Sequence, residues 1–254
     1  MVHTKKQGGF TVIEVTIFVA ISGLLLSVAL LGTGGTIRSV RFSDSVRSLQ
    51  SYFQTQYDQI INGVNPRTGQ EVCQNSLVNT SSPAGQAPGT SNCLLLGKYL
   101  HLAPGSDTVQ SYYVVGSEPA SVPTDLSDEE LIKLYNPHIV TQVDTDVYAI
   151  PWGATISDTR RLEDSHQISG YALLRSPRSA KIISYTFSSQ GVSDSLNGVI
   201  SDAANIQKAT NICIKSADNF GNPAKITIAA GQGQDAITFG FEATTDDCQG
   251  VTPS

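Results

Sequence analysis

Phe10–Leu31 reads FTVIEVTIFVAISGLLLSVALL, twenty-two residues carrying a single charge, Glu14. As a helix this run reaches about 33 Å, against a hydrocarbon core of ~30 Å, so the expectation is a transmembrane helix. The nine residues before it, MVHTKKQGG, are polar and basic, and Lys5 and Lys6 favour a cytoplasmic N-terminus. Arg38, Arg41 and Arg47 lie beyond the far end, so the charge asymmetry alone does not decide the orientation. Two plainer readings compete: a secretory signal peptide cut at Ser27-Val28-Ala29, and an ordinary signal anchor. Glu14 counts against both, because a carboxylate inside an apolar segment is costly and asks for a partner.

Beyond Leu31 comes Gly32-Thr33-Gly34-Gly35, where each glycine weakens a helix by ~1 kcal/mol relative to Ala. It reads either as a linker ending the apolar helix or as a segment that melts when the helix packs into a filament. From Thr36 to Asn62, Phe42, Val46, Leu49, Phe53, Tyr57 and Ile60 recur at helical spacing, with Ile37 and Val40 leading in. This is expected to be the lower half of one long helix laid against a sheet, ending at Asn62-Gly63 and Asn65-Pro66.

The junction Lys5-Lys6-Gln7-Gly8-Gly9-Phe10-Thr11-Val12-Ile13-Glu14 resembles the prepilin peptidase site of type IV pilins and type II secretion pseudopilins. The matching features are a basic leader ending in Gly, an aromatic first mature residue, and Glu as the fifth. They cover about the first thirty residues. The resemblance implies cleavage between Gly9 and Phe10 and N-methylation of the new Phe10 amine. It also implies a role for Glu14 in assembly, pairing with the Phe10 amine of a neighbouring subunit and so setting register. Helix melting would fall on Gly32, Gly34 and Gly35. The implied partners are a prepilin peptidase, other pilin subunits and an inner-membrane assembly platform. The implied location is a single pass through the membrane before assembly, then a cell-surface filament.

The expected fold class is α+β: a long N-terminal helix, transmembrane in its first half, packed on a mainly antiparallel β-sheet head. The divisions are a leader (1–9), the helix (10–62) and an extracytoplasmic head (63–254). Strand-like runs between turn residues are Leu94–Leu102, Val109–Val115, Ile139–Val143, Val147–Ile150, Tyr171–Arg175, Lys181–Phe187, Asn211–Lys215, Lys225–Ala229 and Ala236–Phe241. Ser127 caps a short helix through Leu134 that Asn136-Pro137 stops, and a second helix fits Asp194–Gln207. Asn211–Ala230 (NICIKSADNFGNPAKITIAA) reads as a hairpin turning at Asp218–Pro223. Together with IPWGATI at Ile150–Ile156, it resembles the heads of H-type minor pseudopilins.

Cys73, Cys93, Cys213 and Cys248 include no CxxC and no His at metal spacing, so two disulfides in an oxidising compartment are expected rather than zinc. Of three connectivities the sequential one is favoured, since Cys73 and Cys93 close the polar loop Gln74–Asn92 and Cys248 tethers the chain end to Cys213. Each loop contributes roughly 3–4 kcal/mol on the chain-entropy view. The formal charge of −6 argues against nucleic acid as the main partner.

Other chemistry is sparse. His3 belongs to the leader, and His101, His138 and His166 are far apart in the chain; GxSxG, HExxH and P-loop patterns are absent. Gly231-Gln232-Gly233-Gln234-Asp235 reads as a hairpin turn, and Asp144-Thr145-Asp146 and Asp246-Asp247 as solvated carboxylates rather than Ca²⁺ ligands. Trp152 is placed in the core in preference to a sugar-stacking platform, and Asn79-Thr80-Ser81 matches a glycan sequon. No cofactor and no metal are expected, and the chain is not read as an enzyme. The functional classes left are a filament subunit of a pilus, a minor pseudopilin of a secretion or DNA-uptake machine, and a fibre-tip adhesin that binds a surface or a sugar.

Overall fold

A computed structural model describes residues 11–65, 72–74, 77–79, 92–141, 146–188, 195–218, 222–230, 237–240 and Cys248. The chain divides into two units, Met1–Arg41 and Phe42–Ser254. Helix α1 (Val12–Ile61) supplies the described part of the first unit and the opening of the second. It runs without a break through Gly32, Gly34 and Gly35, and a Cβ at Gly34 would meet nothing within 4 Å. It stops where Gly63 takes a left-handed φ of 62°, with Val64 N donating to Gln59 O at 2.9 Å.

The membrane expectation for residues 10–31 is corrected. Among the described residues no helix is long and apolar enough to cross a membrane. The run is not uniformly apolar, with Ser22 and Gly23 in its middle. It also carries Glu14 and the hydroxyls of Thr16 and Ser27, which bond back to Ile13 O and Gly23 O. The fold class is α+β with antiparallel sheets, and among the described residues neither the expected transmembrane half nor the single-pass placement is upheld.

In the second unit, a six-stranded antiparallel sheet has the order β5 (His138–Val140), β4 (Thr108–Ser117), β3 (Cys93–His101), β8 (Gly170–Arg175), β9 (Ile182–Phe187); β6 (Asp146–Ala149) also pairs with β4. A four-stranded sheet has the order β12 (Ile237–Gly240), β11 (Ala224–Ile228), β10 (Thr210–Lys215), β7 (Thr155–Arg161). A ribbon of β1 (Val72–Gln74) and β2 (Leu77–Asn79) makes the third sheet.

Successive residues of a strand face opposite sides, and β8 shows what lies on each. Tyr171 and Leu173 join the core cluster that contains Val46, Leu49, Phe53, Tyr57 and Ile60 of α1 and the isoleucines of β10 and β11. Ala172 and Leu174 join a second cluster with Leu131 and Ile132 of helix α2 (Asp128–Leu134) and Ile200 of the short α3 (Asn197–Ile200). Both faces are covered, so β8 reads as an unbroken apolar run. Gly97 sits at a register shift between β3 and β4, and a Cβ there would lie 1.9 Å from Leu173 O. The α2 start is the expected capping box: Ser127 accepts from Glu130 N, and Glu130 accepts from Ser127 N at 2.9 Å.

Two disulfides join β1 to β3 (Cys73–Cys93, Cα–Cα 5.1 Å) and β10 to the chain end (Cys213–Cys248, 5.8 Å). They are the sequential pairs. The helix expected over Asp194–Gln207 forms only as α3 and a 3-10 turn at Ala203–Asn205, because Asp202 accepts from Ala204 N and restarts the chain.

Candidate functional site

Two arrangements stand out, one in each unit. In the first unit, every side chain described from Thr11 to Val28 is exposed. Val12, Phe18 and Leu24 are 79%, 72% and 65% exposed, so the apolar surface runs around the helix rather than along one stripe. Helices of that kind in folded proteins have neighbours on all sides.

Glu14 lies in the first turn of this helix. Its carboxylate accepts from Thr11 N at 2.9 Å and Thr11 Oγ1 at 3.0 Å, while Glu14 N donates to Thr11 Oγ1 at 3.3 Å. This is a reciprocal cap on the first-turn donors, like that of Ser127 and Glu130. The backbone bond from Thr11, helped by its hydroxyl, holds the Glu14 carboxyl below the usual carboxylate range. The carboxylate thus has a local partner that the sequence reading overlooked, although Thr11-Val12-Ile13-Glu14 carries the T-x-x-E pattern of such a cap. Gly9 and Phe10, the expected processing and methylation positions, lie outside the described residues.

In the second unit, Lys98 on β3 is 3% exposed, and its ammonium is enclosed by α1 and the sheet. Nζ donates to Gln56 Oε1 at 2.5 Å and to Gln59 Oε1, and lies 4.8 Å from the centre of the Tyr113 ring. Ser111 Oγ donates to the same Gln56 oxygen, and Gln56 Nε2 and Tyr52 OH each donate to Asp146 Oδ2 at 3.3 Å. Tyr52 in turn stacks on Tyr148 at 4.3 Å. Burial pushes the Lys98 ammonium down to about 8, with the Asp146 carboxylate pulling partly the other way. The network ties α1 from Tyr52 to Gln59 to β3, β4 and β6 in one register. A lone Lys within LLLGKYLHL was the sequence signal for it.

The remaining candidates scatter. Trp152 is 55% exposed, which corrects its placement in the core. It adopts φ 61° in the Pro151–Gly153 turn, and its Nε1 donates to Asp44 Oδ2 at 2.9 Å. His138 Nδ1 is 2.8 Å from Asn136 O, and the His166 backbone N–H donates to Asp164. Asp144, Thr145, Asp246, Asp247 and the turn 231–235 lie outside the described residues, as do Thr80 and Ser81 of the sequon. Among the described residues no cluster of His, Cys, Asp and Glu could hold a metal ion.

Comparison with protein-family models, curated proteins and solved structures finds no match to this chain.

Proposed function

We propose that this protein is a structural filament subunit of the pilin kind, cut between Gly9 and Phe10 by a prepilin peptidase and polymerised through its N-terminal helix. The observation that carries the reading is the apolar helix surface of 12–28, exposed on every side and headed by a single carboxylate. A continuous apolar surface of this kind marks an interaction site. Packing against the same helix of neighbouring subunits covers it and gives the chain a reason to polymerise. Other pilin subunits and an assembly platform are then its partners, and the head is the part displayed outward from the filament axis.

Glu14 has two roles that one substitution separates. As a cap it needs only a hydrogen-bond acceptor, which Gln also supplies. As a register device it needs charge, to meet the Phe10 amine of a neighbour where water is excluded. Glu14→Gln is therefore expected to keep leader cleavage and helix content while lowering fibre number, and Glu14→Val to lower both fibre number and helix content at 11–15. N-terminal sequencing of the mature chain and counting of fibres by electron microscopy read these outcomes. Wild-type fibre numbers for Glu14→Gln would reduce Glu14 to a cap. A mature N-terminus other than Phe10 would remove the pilin reading itself.

A further inference from the structure

At one end of the six-stranded sheet, away from α1's buried network, the end of β3 and the segments flanking β8 and β9 enclose a cavity of about 200 Å³ lined by His101, Ala103, Pro104, Gln167, Ile168, Ser169 and Ser188. A single water needs only ~10–15 Å³ on this scale, so the space exceeds what hydration of one orphaned group requires. None of these lining residues bears a fixed charge. The titratable one is His101, whose Nδ1 is buried and has no hydrogen-bond partner, while its ring stacks on Tyr99 at 6.4 Å. A buried polar nitrogen left unpaired is costly unless something arrives to pair with it.

The walls are held from behind. Gln167 Nε2 donates to Asp158 Oδ1 at 3.2 Å, Leu102 N donates to Ser169 O at 2.8 Å, and Ser169 N donates to Phe187 O at 2.7 Å. Thr159 Oγ1 donates to Ile168 O as well. The cavity thus has fixed backbone, small hydroxyl and amide groups, and apolar patches from Ala103, Pro104 and Ile168. Burial lowers the His101 imidazole, with a bond to the Ser169 backbone opposing, and the net shift favours the neutral ring.

We propose that this cavity binds an uncharged, hydroxyl-rich small molecule about the size of one sugar residue, with His101, Gln167, Ser169 and Ser188 making its polar contacts. Neutral hydroxyls both donate and accept, which suits an imidazole, a carboxamide and two serines together. A carboxylate would face no cation and an ammonium no anion among the lining groups, so neither is favoured. The inference does not depend on filament assembly, and its failure would leave the filament proposal untouched.

The test is an NMR titration of the full-length chain held dispersed in a non-glycosidic detergent. The probes are the methyl glycosides of galactose, mannose and N-acetylglucosamine, with acetate and methylammonium as charged controls. At least one glycoside is expected to saturate in the millimolar range and to shift the His101 ring resonances. Ser188→Phe, at an exposed position on the rim, should weaken that binding by about tenfold or more, equivalent to ~1.4 kcal/mol, with the unfolding midpoint unchanged. Gln167→Ala, also at an exposed position, should weaken it without filling the cavity. The proposal is overturned if no glycoside moves the His101 resonances, if acetate or methylammonium binds as well as the sugars, or if both variants bind like the wild type.

Discussion

Between Val12 and Val28 every described side chain of α1 is exposed, whereas between Val46 and Ile60 the same helix buries Val46, Leu49, Phe53, Tyr57 and Ile60. The two segments differ in pattern more than in propensity. Steps of 3, 4, 4 and 3 residues put the later apolar side chains in one stripe, which a single sheet face can cover. In the earlier segment apolar residues occupy nearly every position, so one neighbour could cover only part of them. The stripe therefore finds its partner within its own chain, whereas the earlier apolar surface has none among the described residues. On the filament proposal, one helix serves folding at one end and assembly at the other.

The largest expected effect breaks or upholds that contrast directly. Phe53→Ala should lower head stability by about 3–5 kcal/mol, because it leaves a cavity among fully buried neighbours. Leu25→Ala, at a 62% exposed position of the earlier segment, should change it by no more than ~0.5 kcal/mol. Denaturant unfolding followed by head fluorescence measures both. Equal losses would mean that the first segment is held by its own chain. Next in size, replacing Cys213 and Cys248 together by Ser should cost the head about 3–4 kcal/mol, since the bond closes a loop over 35 residues.

A smaller effect sharpens the account of how the stripe is pinned. With the Lys98 ammonium at about 8 in the folded protein and near 10.5 when unfolded, the unfolded chain binds the extra proton between those values. Stability should therefore rise as pH climbs from about 8 towards 10. Above that range the raised tyrosines, Tyr99 and Tyr185 among them, act in the opposite direction, because their unfolded forms ionise from about 10. Lys98→Met should flatten the rise between pH 8 and 10 in thermal unfolding scans. A slope as steep in the variant as in the wild type would assign it to other groups. At the α2 cap, Ser127→Ala should cost about 1 kcal/mol through the loss of its bond from Glu130 N.

Much of the head was legible because its strands are rich in aliphatic, β-branched and aromatic residues and bounded by turn residues, as in Gly170–Arg175 and Ile182–Phe187. Strand β7 was not. Its sequence TISDTRR buries Asp158, Thr159 and Arg161, and their polarity hides a strand whose partners are side chains and backbone rather than a greasy face. Arg161, for example, pairs with Asp164 at 2.6 Å and donates to Ala204 O at 2.7 Å. The three-residue strands β1 and β2 are too short to carry a period. Hydrophobicity placed Trp152 in the core, but a tight turn holds its ring outward against Asp44. The apolar run at the N-terminus was legible as a helix and not as to what covers it, because composition alone does not distinguish lipid from other copies of the same surface. Of the cavity nothing was legible: His101, Gln167 and Ser188 lie far apart in the sequence and meet only at one end of the folded sheet.

The central claim is that the exposed apolar segment is covered by other copies of itself. Sedimentation and electron microscopy of the chain beginning at Phe10, compared with Leu25→Lys, test it most directly. The account predicts filaments for the wild-type chain and dispersed particles for Leu25→Lys, with the same head unfolding midpoint in both. Filaments of normal length and number from Leu25→Lys, or a wild-type chain that stays monomeric at every concentration, would contradict it.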